Sequence, residues 1–115
     1  MKVISIKENH IFRRLYAKGK SAATPCVAVY CRRNGKAQSR LGITVSTKLG
    51  KAVHRNKVRR RIREIYRLHQ AELLPGWDIV VVARVKASHS SYAAIERSFL
   101  SAMDKLGLRQ KEKEA

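Results

Sequence analysis

The sequence predicts an α+β fold: a two-layer α/β sandwich in the order αβββαβα around a mixed central sheet. Three observations lead there. Residues 48–67 hold a dense run of Lys and Arg that still keeps an apolar stripe at helical spacing. Two stretches ahead of it, 25–33 and 40–46, alternate apolar and polar residues at strand spacing, and the β-branched segment Asp78 to Arg84 follows it. A strand-helix-strand passage implies parallel pairing, whereas two strands joined at Asn34-Gly35 read as an antiparallel hairpin, so the sheet is mixed.

The elements follow in chain order. Asn9 is placed to cap a short helix through about Lys18, with Gly19 as its stop; Phe12 and Tyr16 then lie one turn apart on one face. A further short strand fits before Pro25. From Pro25 to Arg33, Val27, Val29 and Cys31 point one way and Cys26, Ala28, Tyr30 and Arg32 the other. In the next strand, Leu41, Ile43 and Val45 face the core. The basic helix is expected from around His54 to Glu72, closed by Pro75-Gly76. Asp78 to Arg84 suits a strand covered on both faces or sitting centrally. A serine near Ser91 starts the last helix, whose core stripe is Ile95, Phe99, Ala102, Met103 and Leu106 and whose end is Gly107. Residues 1–115 read as one domain, with a polar tail frayed from about 108.

The basic helix carries the strongest functional signal. Lys51 to Arg67 contains eight Lys or Arg, six of them Arg, against one acid, Glu64. At roughly 100° per residue, Val58, Ile62, Ile65, Tyr66, His69 and Leu73 form one face, and Asn56, Arg60, Arg63 and Arg67 line the other, with Arg59 on one flank and Lys57 and Arg61 on the opposite one. A solvated face normally mixes signs, so this one is built for an anion. Guanidinium presents a planar fork that matches phosphate oxygens, where ammonium is a point charge.

The whole chain agrees, with 26 Lys or Arg against 8 Asp or Glu and a formal charge of +18. Such a charge opposes compaction and suits a polyanion that releases counterions on binding. Nucleic acid leads over an anionic membrane, because the helix has an ordinary core stripe and no exposed Trp/Phe-rich face. No apolar run approaches the roughly 20 residues of a spanning helix, and Met-Lys-Val-Ile-Ser-Ile-Lys-Glu has no signal-peptide hydrophobic region. A cytoplasmic protein is expected. Cys26 and Cys31 fit that compartment as buried thiols on opposite strand faces, unable to share a metal.

Catalytic chemistry is thin. His10, His54, His69 and His89 have no metal-ligand spacing, and His69 reads as a satisfied histidine at the core edge. The acids are scattered, whereas two-metal phosphodiester chemistry needs clustered carboxylates. The expectation is therefore no catalytic side chain and no protein-held metal. Phe12, Tyr16, Tyr30 and Arg32 are candidates to line one groove in which bases stack, and the alternative that Phe12 and Tyr16 are ordinary core residues stays open.

The run Lys48-Leu49-Gly50-Lys51-Ala52-Val53-His54-Arg55-Asn56-Lys57-Val58-Arg59-Arg60-Arg61-Ile62-Arg63 resembles the signature K-x-G-x-A-V-x-R-N-x-x-[KR]-R-x-x-[RK] of the bacterial ribonuclease P protein subunit. The resemblance covers roughly residues 5 to 106, taking in Phe12, Tyr30, the strand Leu-Gly-Ile-Thr-Val-Ser, Asp-Ile-Val-Val-Val-Ala-Arg and a Ser-Tyr-x-x-Ile helix. It implies the small protein partner of a catalytic RNA that hydrolyses the 5′ leader from precursor tRNA, with Mg²⁺ held mainly by the RNA and about one protein per RNA. It implies an RNA-subunit surface of Lys48, Lys51, Arg55, Asn56, Lys57, Arg59, Arg60 and Arg63, which Arg67 joins by helical geometry. It further implies a leader cleft at Phe12, Tyr16, Ala28 and Tyr30, to which position adds Arg13, Arg32 and Arg84. A left-handed crossover carrying the basic helix is also implied, against the usual right-handed one. Ser5, Glu8 and Thr47 depart from the more basic residues that relatives carry there.

Two other readings share the charge. A ribosomal or ribosome-assembly RNA-binding protein would bind ribosomal RNA. A DNA-binding module would need a recognition helix with base-reading side chains and a dimer face, and neither is visible in the sequence.

Overall fold

The computed structural model describes residues 2–110. Helix α1 (Asn9–Lys18) leads to strands β1 (Lys20–Ala23), β2 (Val27–Arg33) and β3 (Arg40–Thr44); helix α2 (Ala52–His69), strand β4 (Trp77–Ala83) and helix α3 (Tyr92–Leu106) follow, with short 3₁₀ turns at Thr47–Leu49, Gln70–Glu72 and Val85–His89. The expected α+β order is thus realised. The four strands lie in the order β1-β2-β4-β3.

That order corrects one expectation. β2 and β3 do not form a hairpin: β4 inserts between them, antiparallel to β2 and parallel to β3. The Asn34-Gly35 turn sends the chain past the width of a missing strand. β4 earns its central place by composition, since Ile79, Val80 and Val81 are all fully buried and only a strand covered on both faces can carry such a run.

One sheet face packs on α2 and α3 through Val27, Val29, Cys31, Leu41, Ile79, Val81, Ile62, Ile65, Ile95 and Phe99. The other face carries α1, seated by Ile11 and Leu15 on Val80 and Ile6. The two-layer sandwich therefore gains a partial third layer, and this layer defines the grooves described below. Tyr66, edge-on to Phe99 at 6.4 Å, is buried enough that its hydroxyl pKa is pushed up to about 12.

Several boundaries shift. Asn9 is the first helical residue rather than the cap; Glu8 holds the cap position without a side-chain bond. The segment before it is already tied to β3, with Ile6 N–H donating to Leu41 and Leu41 N–H to Ile4 at 2.9 and 2.7 Å, which fixes where the helix begins. α2 starts at Ala52, and Gln70 to Glu72 is 3₁₀ rather than α. Ser91 does cap α3, accepting from Ala94 N–H at 3.1 Å, and Gly107 ends it in the left-handed region at φ 71°. The tail is ordered further than expected: Leu108 is buried, and Arg109 bridges Leu73 in antiparallel fashion. An apolar residue just past the helix-ending glycine folds back onto the core. The rest of the expected frayed tail, 111–115, lies outside the described residues.

Cys26 and Cys31 are both buried free thiols, but in one core cluster rather than on opposite faces, because Cys26 precedes β2 and strand alternation does not reach it. Burial pushes the Cys31 thiol pKa up. Among the described residues, no helix is long and apolar enough to cross a membrane.

Candidate nucleic-acid interface

α2 turns Val58, Ile62, Ile65 and Tyr66 into the core, and this fixes what it turns outward. Asn56, Lys57, Arg60, Arg63 and Arg67 are exposed, as are Lys48 on the preceding 3₁₀ turn and Lys51 at the helix start. Arg59 and Arg55 are half-buried on the flanks, and the Arg55 Nε is buried without a hydrogen-bond partner. Several guanidiniums are braced. Arg59 donates to Asn56 Oδ1 at 3.0 Å and Arg63 to Ser5 Oγ at 3.2 Å, while Arg61 reaches back to the Ser90 carbonyl at 3.2 Å. Arg67 is different: it makes a two-pronged bond to Glu64 at 3.0 and 2.5 Å, so its charge is already compensated. His69 joins α2 to α3, with Nε2 2.8 Å from Glu96 and Nδ1 bonded to Glu72.

The aromatics occupy the other face of the sheet. α1 crosses the strands with Asn9, Phe12 and Tyr16 on one flank. The Phe12 ring lies over Gly42, where an added Cβ would sit 2.6 and 2.7 Å from Cζ and Cε1. Tyr16 is 42 % exposed, so it is not a core residue; its hydroxyl pairs with Thr44 Oγ1 at 2.9 Å and its ring meets Tyr30 edge-on at 5.0 Å. Phe12 and Tyr16 centroids are 6.5 Å apart. Ala28 is half-buried on the same face, in register with Val82 and, through it, Thr44.

The groove beside Phe12 runs between α1, β3 and the flank of α2. One stretch is lined by Phe12, Tyr16, Ile43, Thr44 and Arg59, and the adjoining one by Ser5, Phe12, Gly42, Arg59 and Arg63. Phe12 and Arg59 line both. The basic helix and the aromatic platform, far apart along the chain, thus share a wall.

Three positional additions fall elsewhere. Arg13 is exposed and lines neither stretch of the groove. Arg84 lies just past the end of β4, donating to the Thr24 carbonyl at 2.9 Å. Arg32 pairs in register with Asp78 at the opposite end of β4 and lines a different groove. Strand alternation gives a residue's face but not its distance along the strand, which is why position alone grouped them. Sequence reasoning also missed Gly42 and Thr44. A glycine inside a β-branched strand was the available signal, because it often marks a close approach.

Glu72 and Glu96 meet on the two ring nitrogens of His69, but among the described residues no group of three or more His, Cys, Asp or Glu side chains is arranged to hold a metal ion. The interface offers cations, stacking faces and hydrogen-bond donors. It is the surface of a small RNA-binding protein.

The Ribonuclease P family model matches residues 1–107. The chain is 34 % identical over 109 residues to the ribonuclease P protein component of Natranaerobius thermophilus, covering 95 % of both chains, and 44 % identical over 94 residues to that of Clostridioides difficile, covering 81 % of this chain and 82 % of the relative. Among solved structures, the Staphylococcus aureus RNase P protein at 2.0 Å superposes with a TM-score of 0.86 at 38 % identity, covering 95 % of this chain and all of that one. The Thermotoga maritima RNase P protein gives 0.78 at 35 % identity over 84 % of this chain and 92 % of that one. The chain belongs to the ribonuclease P protein family. The ribosomal alternative gives way to this one.

Proposed function

We propose that the chain docks onto the RNA subunit of ribonuclease P through the exposed face of α2 and holds the 5′ leader of precursor tRNA in the groove at Phe12 and Tyr16 and on the Tyr30 ring that adjoins Tyr16 outside the groove's lining. The RNA subunit holds the catalytic Mg²⁺ and cuts. The observation that carries this reading is the shared wall: Phe12 and Arg59 line the same groove, so a strand stacked on the aromatics passes within reach of guanidiniums on the docking helix. Lys48, Lys51, Arg55, Asn56, Lys57, Arg60 and Arg63 supply phosphate contacts on the RNA-subunit side, and Arg67 contributes least, being paired with Glu64.

The division of labour follows from chemistry. Hydrolysis gives the mature tRNA a 5′ phosphate and releases a leader ending in a 3′ hydroxyl. The leader is the only part of the substrate absent from the mature product, so a grip on it favours precursor over product. The protein supplies positioning and counter-charge, which lowers the Mg²⁺ needed to screen RNA against RNA. One protein serves one RNA, in the cytoplasm.

The test is differential affinity. Phe12→Ala and Tyr30→Ala should weaken precursor binding by the holoenzyme by about 1–3 kcal/mol per stacked base and leave mature tRNA binding as it is. Equal losses for both ligands would make the aromatics structural and overturn the leader assignment.

A further inference from the structure

The flank of α1 opposite Phe12 and Tyr16 borders a second groove, about 380 Å³ in volume and different in chemistry. Helical spacing puts His10 and Arg14 on that flank. Across from them stand Arg32 on β2 and Lys36 beyond it, with Arg40 and Asp78 also lining the groove. In all, five Lys or Arg side chains face two carboxylates. The buried carboxylate, Asp78, is already taken up by Arg40, and Glu8 stands exposed at the rim. Arg40 takes both Asp78 oxygens at 2.8 and 2.7 Å while Asn34 donates to one at 3.1 Å, and Glu8 lies 3.3 Å from His10. Arg14, Arg32 and Lys36 are exposed and, among the described residues, have no side-chain ion pair. The groove has compensated its buried negative charge and left three cations open against the one exposed carboxylate, Glu8.

We propose that this groove is a phosphate subsite for the part of the precursor leader that extends beyond the aromatic groove; the inference rests on the leader reading above. Arg32 is two residues from Tyr30 on the same face of β2, roughly 7 Å along the strand, so a leader strand that passes α1 on leaving Tyr30 reaches it. The groove shares α1 and β2 with the leader platform, whereas α2, the element that faces the RNA subunit, contributes nothing to it. No Phe, Tyr or Trp is among its lining residues, which are dominated by Lys and Arg, so it recognises backbone charge rather than bases.

The experiment uses reconstituted holoenzyme and precursors whose leaders are lengthened one nucleotide at a time, with mature tRNA as reference. For the Arg14→Gln/Arg32→Gln double variant, the affinity loss should be absent for mature tRNA, set in only once the leader passes a threshold length, and plateau at about fivefold for each guanidinium removed. Over the same lengths the salt dependence should flatten by about 0.7 for each phosphate that the variant no longer neutralises. A loss independent of leader length, mature tRNA included, would assign the groove to the RNA subunit and overturn the inference. So would no loss at any length while Phe12→Ala still weakens precursor binding, an outcome that leaves the leader groove standing. If Phe12→Ala is also without effect on every leader, the reading beneath the inference fails with it.

Discussion

Gly42→Ala should disable the leader groove by displacing Phe12 while leaving every aromatic and basic side chain of the site unsubstituted. The new methyl carbon would lie 2.6 and 2.7 Å from two Phe12 ring carbons and 3.3 Å from Val80 Cγ2. Carbon contacts settle near 3.5–4.0 Å, so the ring must retreat by about 1 Å or swing away. Overpacking of this kind costs about 1–3 kcal/mol, and the lower end applies because the obstacle is the far end of one side chain rather than backbone. Urea unfolding should therefore register a loss of about 1 kcal/mol. Precursor affinity should fall further, toward the value of one base stack, about 1–3 kcal/mol, with mature tRNA unaffected. Adding Phe12→Leu to Gly42→Ala should recover stability, since the smaller side chain accepts the methyl, but should not recover leader affinity. Precursor affinity and stability both at the level of the unsubstituted protein would refute the reasoning. Restored leader affinity in the double variant would do so as well.

Two further outcomes follow from the polar contacts. Asp78 is 7 % exposed and holds Arg40 through both oxygens, so Asp78→Asn leaves a half-buried guanidinium without its counter-charge and should cost about 2 kcal/mol in denaturant unfolding, less than a fully buried pair would; a loss under about 0.5 kcal/mol would mean that water reaches Arg40 and replaces the carboxylate. At His69, partial burial opposes protonation, but the Glu96 and Glu72 carboxylates outweigh it and the imidazole pKa is raised. A raised folded pKa stabilises fully below the unfolded value near 6.5 and less as pH climbs through the folded pKa. The stability difference between the unsubstituted protein and His69→Gln should shrink as pH rises above about 6.5, and a difference that is flat or grows with pH would contradict the α2–α3 clamp.

The helices were readable because their signals are local. Val58, Ile62, Ile65 and Tyr66 repeat at helical spacing and are buried; Ser91 and Gly107 bracket α3 with a side-chain bond and a left-handed turn. Strand pairing was not local. Asn34-Gly35 is a sound turn signal, yet the partner of β2 is decided by burial: Ile79, Val80 and Val81 need cover on both faces, and only the slot between β2 and β3 provides it. The sequence carried that clue in the β-branched run, but the turn overrode it. In the site, alternation correctly put Tyr30 on the face of Phe12 and Tyr16. It put Arg32 there too, and only the crossing path of α1 separates Arg32 from them. Arg67 lies where the helical wheel puts it, and its pairing with Glu64 shows that position does not settle whether a charge is available.

The central claim is that the protein grips and positions while the RNA cuts, and one reconstitution tests it directly. Precursor cleavage should be measured with the cognate RNA subunit at Mg²⁺ too low for the RNA alone, with and without the protein, and with the protein by itself. The account predicts no cleavage by the protein alone, little by the RNA alone, and rapid release of the intact leader when both are present. Cleavage by the protein without RNA, or an RNA rate that the protein leaves unchanged, would contradict it.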